Sequence, residues 1–398
     1  MKNPPELLEY VGVIHIHTTD SDGTKSHEKI ISIAQKYHID FLMFADHMTL
    51  KSKDKEGWHD RTLVIIGYEH EDAREWNHYL VFGLDEPLPK DLSPKQYVRK
   101  VRRAGGIGII AHPDEKRDFP EHPPLPWTEW STDEFDGIEI WNHMSAWLEG
   151  IAAGNKLKYL LNPRALLISP PEETLKRWDK LARRRKIVGI ASADAHGYRQ
   201  KIFGPIWRTI FPYRVELRSL RTHILTKEPL SKDFDEAKKQ VFSALRHCNV
   251  FMSNYRWGDA TGFRFWAQTS NSIAGIGEKI PLHRRLRFFV KSPGDAKIRL
   301  IRNGEFFAEV DGEEAIFAPT KPGVYRVELY RNGKGWIFSN HITVVETTFR
   351  GKGNLSGKNK NAASGYRKSS GRNKRNGARN RRSSSGTGRR DVKRRKDK

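Results

Sequence analysis

The sequence predicts an α/β domain followed by an all-β domain and a charged tail. Between residues 11 and 194, seven apolar runs of strand length alternate with segments of helical periodicity. From residue 261 onward, short strand-like runs are separated by Gly-containing turns. Alternating strands and helices form a largely parallel sheet, and continuously apolar strands indicate that both faces of that sheet are covered. An α/β barrel and an open α/β sheet both fit this pattern.

The first half of the chain supplies the predicted strands and the helices between them. The strand-like runs are VGVIHIH, DFLMFADH, TLVIIGYE, HYLVFGL, GIGIIAHP, DGIEIWNH and KIVGIASADAH. The intervening segments SHEKIISIAQKYH and SPKQYVRKVRRAG have helical apolar spacing, and the second ends at glycines suited to a helix C-terminus. The order of these segments predicts strand, helix and strand units.

Six of the seven runs end in His, Asp or Glu, which distinguishes between the two architectures. In an α/β barrel the carboxyl ends of the strands share one rim, and the active site is built there. Six similar strand ends therefore favour a barrel whose rim side chains converge on a metal site. The residues are His15, His17, Asp46, His47, Glu69, His112, His143, Asp194 and His196.

The stretch IHIHTTDSDGT shows how such a site is assembled. His15 and His17 are two residues apart in a strand, so both imidazoles point to the same face and can bind one ion. Asp22 lies in SDGT, where Gly23 permits a tight turn that brings the carboxylate back to the rim. Asp20 is predicted to shape that turn.

The ligand types indicate the metals and the reaction. Imidazole and carboxylate without thiolate suit zinc, manganese or iron, and an all-oxygen calcium or magnesium site would not need so many histidines. The set is large enough for two or three divalent ions. Clustered ions activate water and stabilise the oxygens of a phosphoryl group, so the predicted activity is hydrolysis of nucleotides, short oligonucleotides or another small phosphate ester. An ester or carbamate hydrolase is the alternative, because the same chemistry attacks carbonyl groups.

The second half of the chain changes character. Residues 215–260 are predicted to be a helical connecting region, since VELRSLRTHILT and DFDEAKKQVFSALRHC have helical patterns. Residues 261–347 are predicted to form a small β-sandwich, to which no chemistry is assigned. Its strand-like runs are GFRFWAQ, RLRFFVKS, AKIRLI, EFFAEV, VYRVELY and WIFSNHITVV, and its turn signals are RNGE, DGEE, KPGV and RNGK.

Most of the net charge of +23 lies at the end of the chain. Residues 351–398 contain eighteen Lys and Arg against two Asp, a net +16. The segment 348–398 is predicted to be disordered, since its Gly, Ser, Asn, Lys and Arg cannot bury a core. It can attract RNA or DNA without sequence preference, and a nucleic-acid-associated protein dominated by this tail is a further alternative.

No segment reaches 18 apolar residues, so we expect a cytoplasmic protein with no membrane association.

Six motifs resemble, in order and spacing, those of the PHP (polymerase and histidinol phosphatase) superfamily. They are HIHTTDSDGT, FADHMTL, GYEHE, IIAHP, GIEIWNH and ASADAHG. The match spans about residues 8–205, and the remainder is similar to PHP proteins in which a β-sandwich follows the metallohydrolase domain, a group that includes carbaryl-hydrolase-like enzymes. The resemblance implies a distorted (β/α)7 barrel, similar to a TIM barrel, over residues 8–214, with a two- or three-metal centre at its carboxyl rim.

The resemblance also implies a role for each rim residue. The first ion and the water it activates would be held by His15, His17, Glu69 and Asp194. The second ion would be held by Asp22, His47 and His196. Glu69 would bridge to a third ion held by His112 and His143. His78 matches an alternative ligand of the same centre. Asp46 would orient the His47 ring without binding the ion itself.

Three further segments bear on substrate access and on the match. Residues 114–131, rich in Pro and Trp, follow the His112 strand and are interpreted either as a lid or specificity wall at the rim or as a rigid surface loop. Arg199 and Lys201 are candidates for contact with a substrate phosphate. The chain departs from the family pattern where SNHI, which contains His341, replaces the common SNPI.

Overall fold

The computed structural model describes residues 5–117, 123–151, 155–203 and 205–346. The predicted tail, residues 348–398, lies outside these ranges, as do residues 118–122 of the predicted rim loop. All described residues belong to one compact unit. The boundaries predicted at residues 214 and 260 stay predictions. Among the described residues, no helix is long and apolar enough to cross a membrane.

The described residues contain helices and strands in a mixed order. The helices are α1 (His27–Lys36), α2 (Pro94–Arg103), α3 (His143–Gly150), α4 (Lys156–Leu161), α5 (Glu172–Ala182), α6 (Tyr213–Glu216) and α7 (Phe234–His247). The strands of the first half are β1 (Leu8–Ile14), β2 (Phe41–His47), β3 (Gly57–His59), β4 (Thr62–His70), β5 (Tyr79–Phe82), β6 (Ile107–Ile110), β7 (Gly137–Asn142), β8 (Val188–Ser192), β9 (Arg199–Phe203) and β10 (Ile206–Thr209). The remaining strands are β11 (Leu220–Thr226), β12 (Val250–Asn254), β13 (Arg264–Gln268), β14 (Ile273–Gly275), β15 (Lys279–Pro281), β16 (Arg287–Arg302), β17 (Glu305–Phe317), β18 (Gly323–Arg331), β19 (Lys334–Ser339) and β20 (Ile342–Val345).

Seven strands of the first half pair in a ring. β1 and β2, β2 and β4, β6 and β7, and β7 and β8 are parallel pairs, whereas β5 is antiparallel to both β4 and β6. The ring closes where Ala193 N donates to Ile14 O at 3.0 Å and where Ile16 bridges Ala195 in parallel. Each of these strands lies within one of the seven predicted runs or overlaps it closely, so the strand positions were correctly predicted from the sequence. Among the described residues, α-helices separate consecutive ring strands only between β1 and β2, β5 and β6, and β7 and β8, so the predicted alternation is found only in part.

The ring is stabilised by apolar side chains on both of its faces. Inside, Met43, Ile65 and Ile109 belong to one buried cluster that also reaches α7. Outside, α1 packs Ile30 and Ala34 against the sheet. Because both faces are apolar, the strands are nearly continuous hydrophobic runs, and polar side chains are concentrated at their carboxyl ends.

One predicted helix is a strand. The segment LRTHILT forms β11, which is antiparallel to both β1 and β12. Thr222 and Ile224 are β-branched and buried, and such residues favour strands over helices once neighbouring strands are available. The other predicted helix of this region is correct, because DFDEAKKQVFSALRHC contains α7, capped at its N-terminus by the side chain of Asp233.

The second half forms a sheet-rich region that is continuous with the ring through the pairing of β12 with β19. RLRFFVKS and AKIRLI, predicted as separate strands, form the single strand β16, and DGEE lies within β17 and is not a turn between strands. WIFSNHITVV is divided between β19 and β20. The two RNG segments are tight hairpin turns with positive φ at both central residues, 54° and 90° at Asn303 and Gly304 and 51° and 69° at Asn332 and Gly333.

Candidate metal centre

His15 and His17 lie at the carboxyl end of β1 and are fully buried. His15 Nδ1 lies 2.7 Å from Glu139 Oε1, and its Nε2 lies 3.1 Å from Glu69 Oε2 and 3.5 Å from Asp194 Oδ1. Since a carboxylate oxygen can only accept a hydrogen bond, Nδ1 donates to Glu139 and Nε2 is directed toward Glu69 and Asp194. Glu139 therefore selects the nitrogen that a metal ion would meet.

Three predicted ligands have unusual backbone conformations. The φ angles of His15, His112 and Asp194 are 67°, 27° and 49°. Positive φ is uncommon for residues other than glycine, and its strain is tolerated mainly at functional sites. Each angle turns the chain where a ring strand ends, and all three side chains are directed at the same carboxylate cluster.

The first group of potential ligands contains His15, His17 and Asp194, all buried, with ligand atoms within 4.8 Å of one another. His17 Nε2 lies 3.3 Å from Glu69 Oε2 and 3.4 Å from Asp194 Oδ1 and has no hydrogen-bond partner among the described residues. These four residues are the predicted ligands of the first ion, and the structure brings them together.

The second group contains His17, Asp22, His47 and His196. Asp22 Oδ2 lies 3.2 Å from His196 Nε2 and 3.7 Å from His47 Nε2. His196 Nδ1 donates to the Asp194 carbonyl at 2.9 Å, which leaves Nε2 for Asp22 or a metal ion. The three predicted ligands of the second ion thus lie together, and His17 faces both groups.

Gly23 allows the loop after β1 to place Asp22. A Cβ atom at this position would lie 2.6 Å from the backbone of His17 and Thr18, closer than side chains approach backbone. The Gly23 amide donates to Thr18 O at 2.8 Å, closing the turn. The sequence prediction of a glycine-dependent turn is therefore correct, and close approach of the chain is the reason.

Glu69, at the end of β4, joins the second group to a third. Its Oε1 lies 2.8 Å from His78 Nδ1 and 3.3 Å from His112 Nε2, whereas its Oε2 faces His15, His17 and, at 3.5 Å, His47 Nδ1. His47, Glu69 and His78 form the third group. One carboxylate thus contacts five imidazoles, as expected of a residue that bridges two ions.

His143 was predicted as a ligand of the third ion, but it belongs to none of these groups among the described residues. It begins α3, and its ring packs edge-on against Phe211 with 5.1 Å between centroids. Burial lowers its pKa to about 3. His78, named as the alternative ligand, is the residue whose Nδ1 lies next to Oε1 of Glu69.

Asp46 does not support His47 as predicted. Its carboxylate accepts hydrogen bonds from Thr18 N at 2.7 Å, Thr18 Oγ1 at 2.8 Å and Ser21 Oγ at 2.7 Å. It therefore holds the loop that carries Asp22. The neighbour of His47 is Glu71, whose Oε1 lies 3.0 Å from His47 Nδ1. Glu139 and Glu71 were missed because neither ends a predicted strand run in the sequence.

The electrostatics of the cluster favour bound cations. Burial would raise the pKa of Glu69 and Asp194, but the surrounding imidazoles hold the pKa of both carboxyls well below the ordinary range. Conversely, burial would lower the pKa of His112 and His196, but carboxylates led by Glu115 and Asp22 raise each pKa to about 9. In the metal-free protein these protons neutralise the carboxylates, and metal ions would displace them.

A cavity of about 230 Å³ opens onto this cluster. Its lining residues are of two kinds: the candidate ligands Asp22, His47, Glu69, His78, His112, Asp194 and His196, and the other side chains Arg117, Leu125, Met144, Leu148 and Tyr198. The predicted phosphate contacts Arg199 and Lys201 lie in β9, are exposed and do not line it. The basic residue of the cavity wall is Arg117.

The predicted rim loop supplies part of that wall. Glu115 accepts hydrogen bonds from Arg117 Nη2 at 2.6 Å, Leu125 N at 3.0 Å and Ser145 Oγ at 2.6 Å. Trp127 N donates to Pro113 O at 3.0 Å. One buried carboxylate thus joins both described parts of the loop to α3, and Nε of Arg117 is buried without a hydrogen-bond partner among the described residues.

The residues fit divalent metal ions. Among the described side chains, His17 Nε2 is buried between Glu69 Oε2 and Asp194 Oδ1 without a hydrogen bond to either. Such nitrogens are costly unless something binds them. Imidazole and carboxylate with no thiolate in the groups suit transition-metal ions. The buried His, Asp and Glu groups therefore form a candidate multinuclear metal centre.

Comparisons with known proteins give distant similarities. No family model matches the chain. An uncharacterized protein of Methanocaldococcus jannaschii is 27% identical over 163 residues, which cover 37% of this chain and 91% of the relative.

Solved structures show likeness at low identity. A protein from Bacteroides vulgatus, described as a two-domain protein containing a predicted PHP-like metal-dependent phosphoesterase, has a TM-score of 0.43 and 12% identity, and the match covers 85% of this chain and 97% of that protein. A protein of Bifidobacterium adolescentis described as a putative metal-dependent phosphoesterase has a TM-score of 0.32 and 15% identity, and the match covers 47% of this chain and 87% of that protein. An amidohydrolase of Chromobacterium violaceum with bound sulfate has a TM-score of 0.27 and 13% identity, and the match covers 46% of this chain and 87% of that protein. The chain is similar in structure to PHP-like metal-dependent phosphoesterases.

Proposed function

We propose that the chain is a PHP-type metal-dependent phosphoesterase that hydrolyses a small phosphate ester in the cavity above Glu69. The observation that carries this proposal is the position of Glu69 between His15 and His17 on one side and His78 and His112 on the other. A shared carboxylate of this kind suits adjacent divalent ions, with manganese, zinc or iron as the matching metals.

The side chains have separable roles in this proposal. Divalent ions held by the three groups would lower the pKa of a water ligand and stabilise charge on phosphoryl oxygens. Glu139 orients His15, and the Asp194 carbonyl orients His196, so that each imidazole presents Nε2 to the centre. Glu71 Oε1 lies 3.0 Å from His47 Nδ1 and helps to orient that ring.

Arg117 supports a phosphate substrate more than a neutral ester. Arg117 lines the cavity with its Nη2 donating to Glu115, and an arginine binds phosphate oxygens through charge-assisted hydrogen bonds. The cavity volume of about 230 Å³ admits a small substrate, and Leu125, Met144 and Leu148 give it an apolar side for the alcohol group. We therefore propose a phosphate ester with an apolar or aromatic substituent of modest size.

A substrate panel tests the proposal. The full chain, loaded with manganese, is assayed against phosphate monoesters, phosphate diesters and carboxyl esters, beside the variant His15→Ala. We expect turnover of phosphate esters that His15→Ala abolishes. Turnover confined to carboxyl esters would favour the ester or carbamate hydrolase instead, and full phosphoesterase activity in His15→Ala would show that the centre is not the site of reaction.

We further propose that residues 351–398 bind RNA or DNA without sequence preference. The net charge of +16 in this segment supports the proposal, because neutralising phosphates releases condensed counterions. Deleting residues 351–398 should abolish salt-sensitive binding of single-stranded nucleic acid and leave hydrolysis of a small phosphate ester unchanged. Loss of that hydrolysis in the truncated chain would contradict an accessory role.

A further inference from the structure

A fourth group of potential ligands lies away from the cavity. Asp20, His27 and Asp46 each offer one ligand atom within 4.8 Å of the others, and none of the three lines the cavity. They come from different elements: His27 begins α1, Asp46 belongs to β2, and Asp20 lies in the loop between β1 and α1. The group therefore brings the loop that carries Asp22 together with α1 and β2.

The His27 imidazole has an unexplained nitrogen. His27 is 2% exposed, and its Nε2 is buried with no hydrogen-bond partner among the described residues. The neighbouring carboxylate oxygen, Asp46 Oδ2, lies 3.7 Å away. A hydrogen bond from a ring nitrogen to a carboxylate closes to about 2.7–3.2 Å, so this pair is too far apart for one.

The same separation suits two ligands of one ion. Ligand atoms about 2.0–2.2 Å from a metal ion lie roughly 3.3–3.8 Å apart when the angle between them is tetrahedral to trigonal. A bridging water would require a wider gap, because each of its hydrogen bonds spans about 2.8 Å. The distance between Nε2 and Oδ2 therefore favours a shared cation over a direct or water-mediated contact.

The oxygen ligands have room for such an ion. Asp46 Oδ1 accepts from Thr18 N and Ser21 Oγ, whereas Oδ2 accepts one hydrogen bond, from Thr18 Oγ1. Since a carboxylate oxygen has two lone pairs, Oδ2 retains one. Asp20 accepts from Ser52 Oγ through one of its two oxygens. The nearby cation Lys55 forms its ion pair with Glu28.

We propose that Asp20, His27 and Asp46 bind a divalent transition-metal ion that is separate from the hydrolytic centre. Two carboxylates and an imidazole match zinc, manganese or iron. The ion joins α1, β2 and the loop after β1 at one point. The ion stabilises this loop, which positions Asp22 and which Asp46 already holds through Thr18 and Ser21.

Metal counting on the full chain tests this inference without an activity assay. The protein is stripped with a chelator, dialysed against manganese and analysed for bound metal per chain, beside Asp20→Asn, His27→Gln and the control Glu28→Gln. We expect Asp20→Asn and His27→Gln each to bind one ion fewer than the wild-type chain. Glu28→Gln, which changes an exposed carboxylate beside His27, should bind the wild-type number.

Cadmium NMR identifies which ion is lost. With cadmium in place of manganese, one resonance is expected per site, and Asp20→Asn should remove one resonance while the others keep their shifts. Asp20 is partly exposed, so this variant tests the proposal even where His27→Gln does not fold. Unchanged metal content and an unchanged cadmium spectrum in Asp20→Asn would overturn the proposal, as would an equal loss in Glu28→Gln.

Discussion

Glu139 Oε1 lies 2.7 Å from Nδ1 of His15, and both side chains are buried. The other oxygen of Glu139 accepts from the His112 amide at 2.8 Å and from Asn142 Nδ2 at 2.8 Å. One carboxylate from β7 thus fixes the ring of a ligand on β1 and the backbone of a ligand that follows β6. The relationship explains how strands distant in sequence hold the imidazoles of His15 and His112 against opposite oxygens of Glu69.

Replacing Glu139 tests whether this carboxylate tunes metal binding. Glu139→Gln keeps the size of the side chain but removes the charge that fixes the His15 tautomer. Loss of such a supporting carboxylate lowers metal affinity by about tenfold to a hundredfold. Titration of the metal-free protein with manganese measures the change. Wild-type affinity in Glu139→Gln would show that the contact is structural only.

His78 and His143 give opposite predictions for the third group. His78→Gln should weaken metal binding, because His78 Nδ1 meets Glu69 Oε1 at 2.8 Å. His143→Gln should retain the wild-type metal content, because that ring packs against Phe211 outside the three groups. Metal analysis of both variants after dialysis shows which of the two histidines binds a metal ion. A reduced metal content in His143→Gln would support the ligand role that the resemblance implies for His143.

Arg117 is predicted to govern phosphate binding. Arg117→Gln removes a charged hydrogen-bond donor from the cavity wall, an interaction of roughly 1.5–3 kcal/mol, so kcat/KM for a phosphate ester should fall by about tenfold to a hundredfold. Arg199→Gln is the matched control, since Arg199 is exposed and does not line the cavity. An equal loss in both variants would indicate a general charge effect. Unchanged kinetics in Arg117→Gln would exclude a contact between Arg117 and the substrate phosphate.

The parts of the site that are local in sequence could be predicted, and those that depend on packing could not. His15, Glu69 and Asp194 each follow or end an apolar run, so their convergence follows from the shared rim of a barrel. Glu139 lies within its run and Arg117 within a Pro-rich loop, so only the folded chain places them at the centre. LRTHILT was misread because its apolar spacing resembles a helix, whereas pairing with β1 and β12 makes it a strand.

Glu216 predicts a pH-dependent stability. It is fully buried, accepts from the His196 amide at 3.2 Å, and has a pKa that burial raises from 4.5 to about 8. A carboxyl with a raised folded pKa binds its proton more tightly when folded, so its contribution is complete below about pH 4.5 and is lost as the pH rises toward about 8. Its loss amounts to at most about 1.4 kcal/mol per pH unit in this window.

Glu216→Gln removes this titration. In metal-free protein, the free energy of unfolding of Glu216→Gln should rise relative to wild type as the pH increases from about 6 to about 8. Urea unfolding of both proteins at several pH values measures the difference. A difference that stays constant across the range would show that Glu216 is ionised throughout.

A buried ion cluster joins the ring to the sheet-rich second half, and it predicts how much this contact contributes to the free energy of unfolding. Arg326 on β18 donates from Nε and Nη2 to Asp179 on α5, each at 2.8 Å, and His341 Nε2 lies 2.6 Å from the same carboxylate. Breaking a buried pair by removing one partner costs about 3–5 kcal/mol, because the other charge stays buried. Arg326→Met should lower the free energy of unfolding by this amount. Arg299→Gln, which breaks the exposed pair with Glu309, should change it by less than about 1 kcal/mol, and similar losses in the two variants would contradict a special role for Asp179.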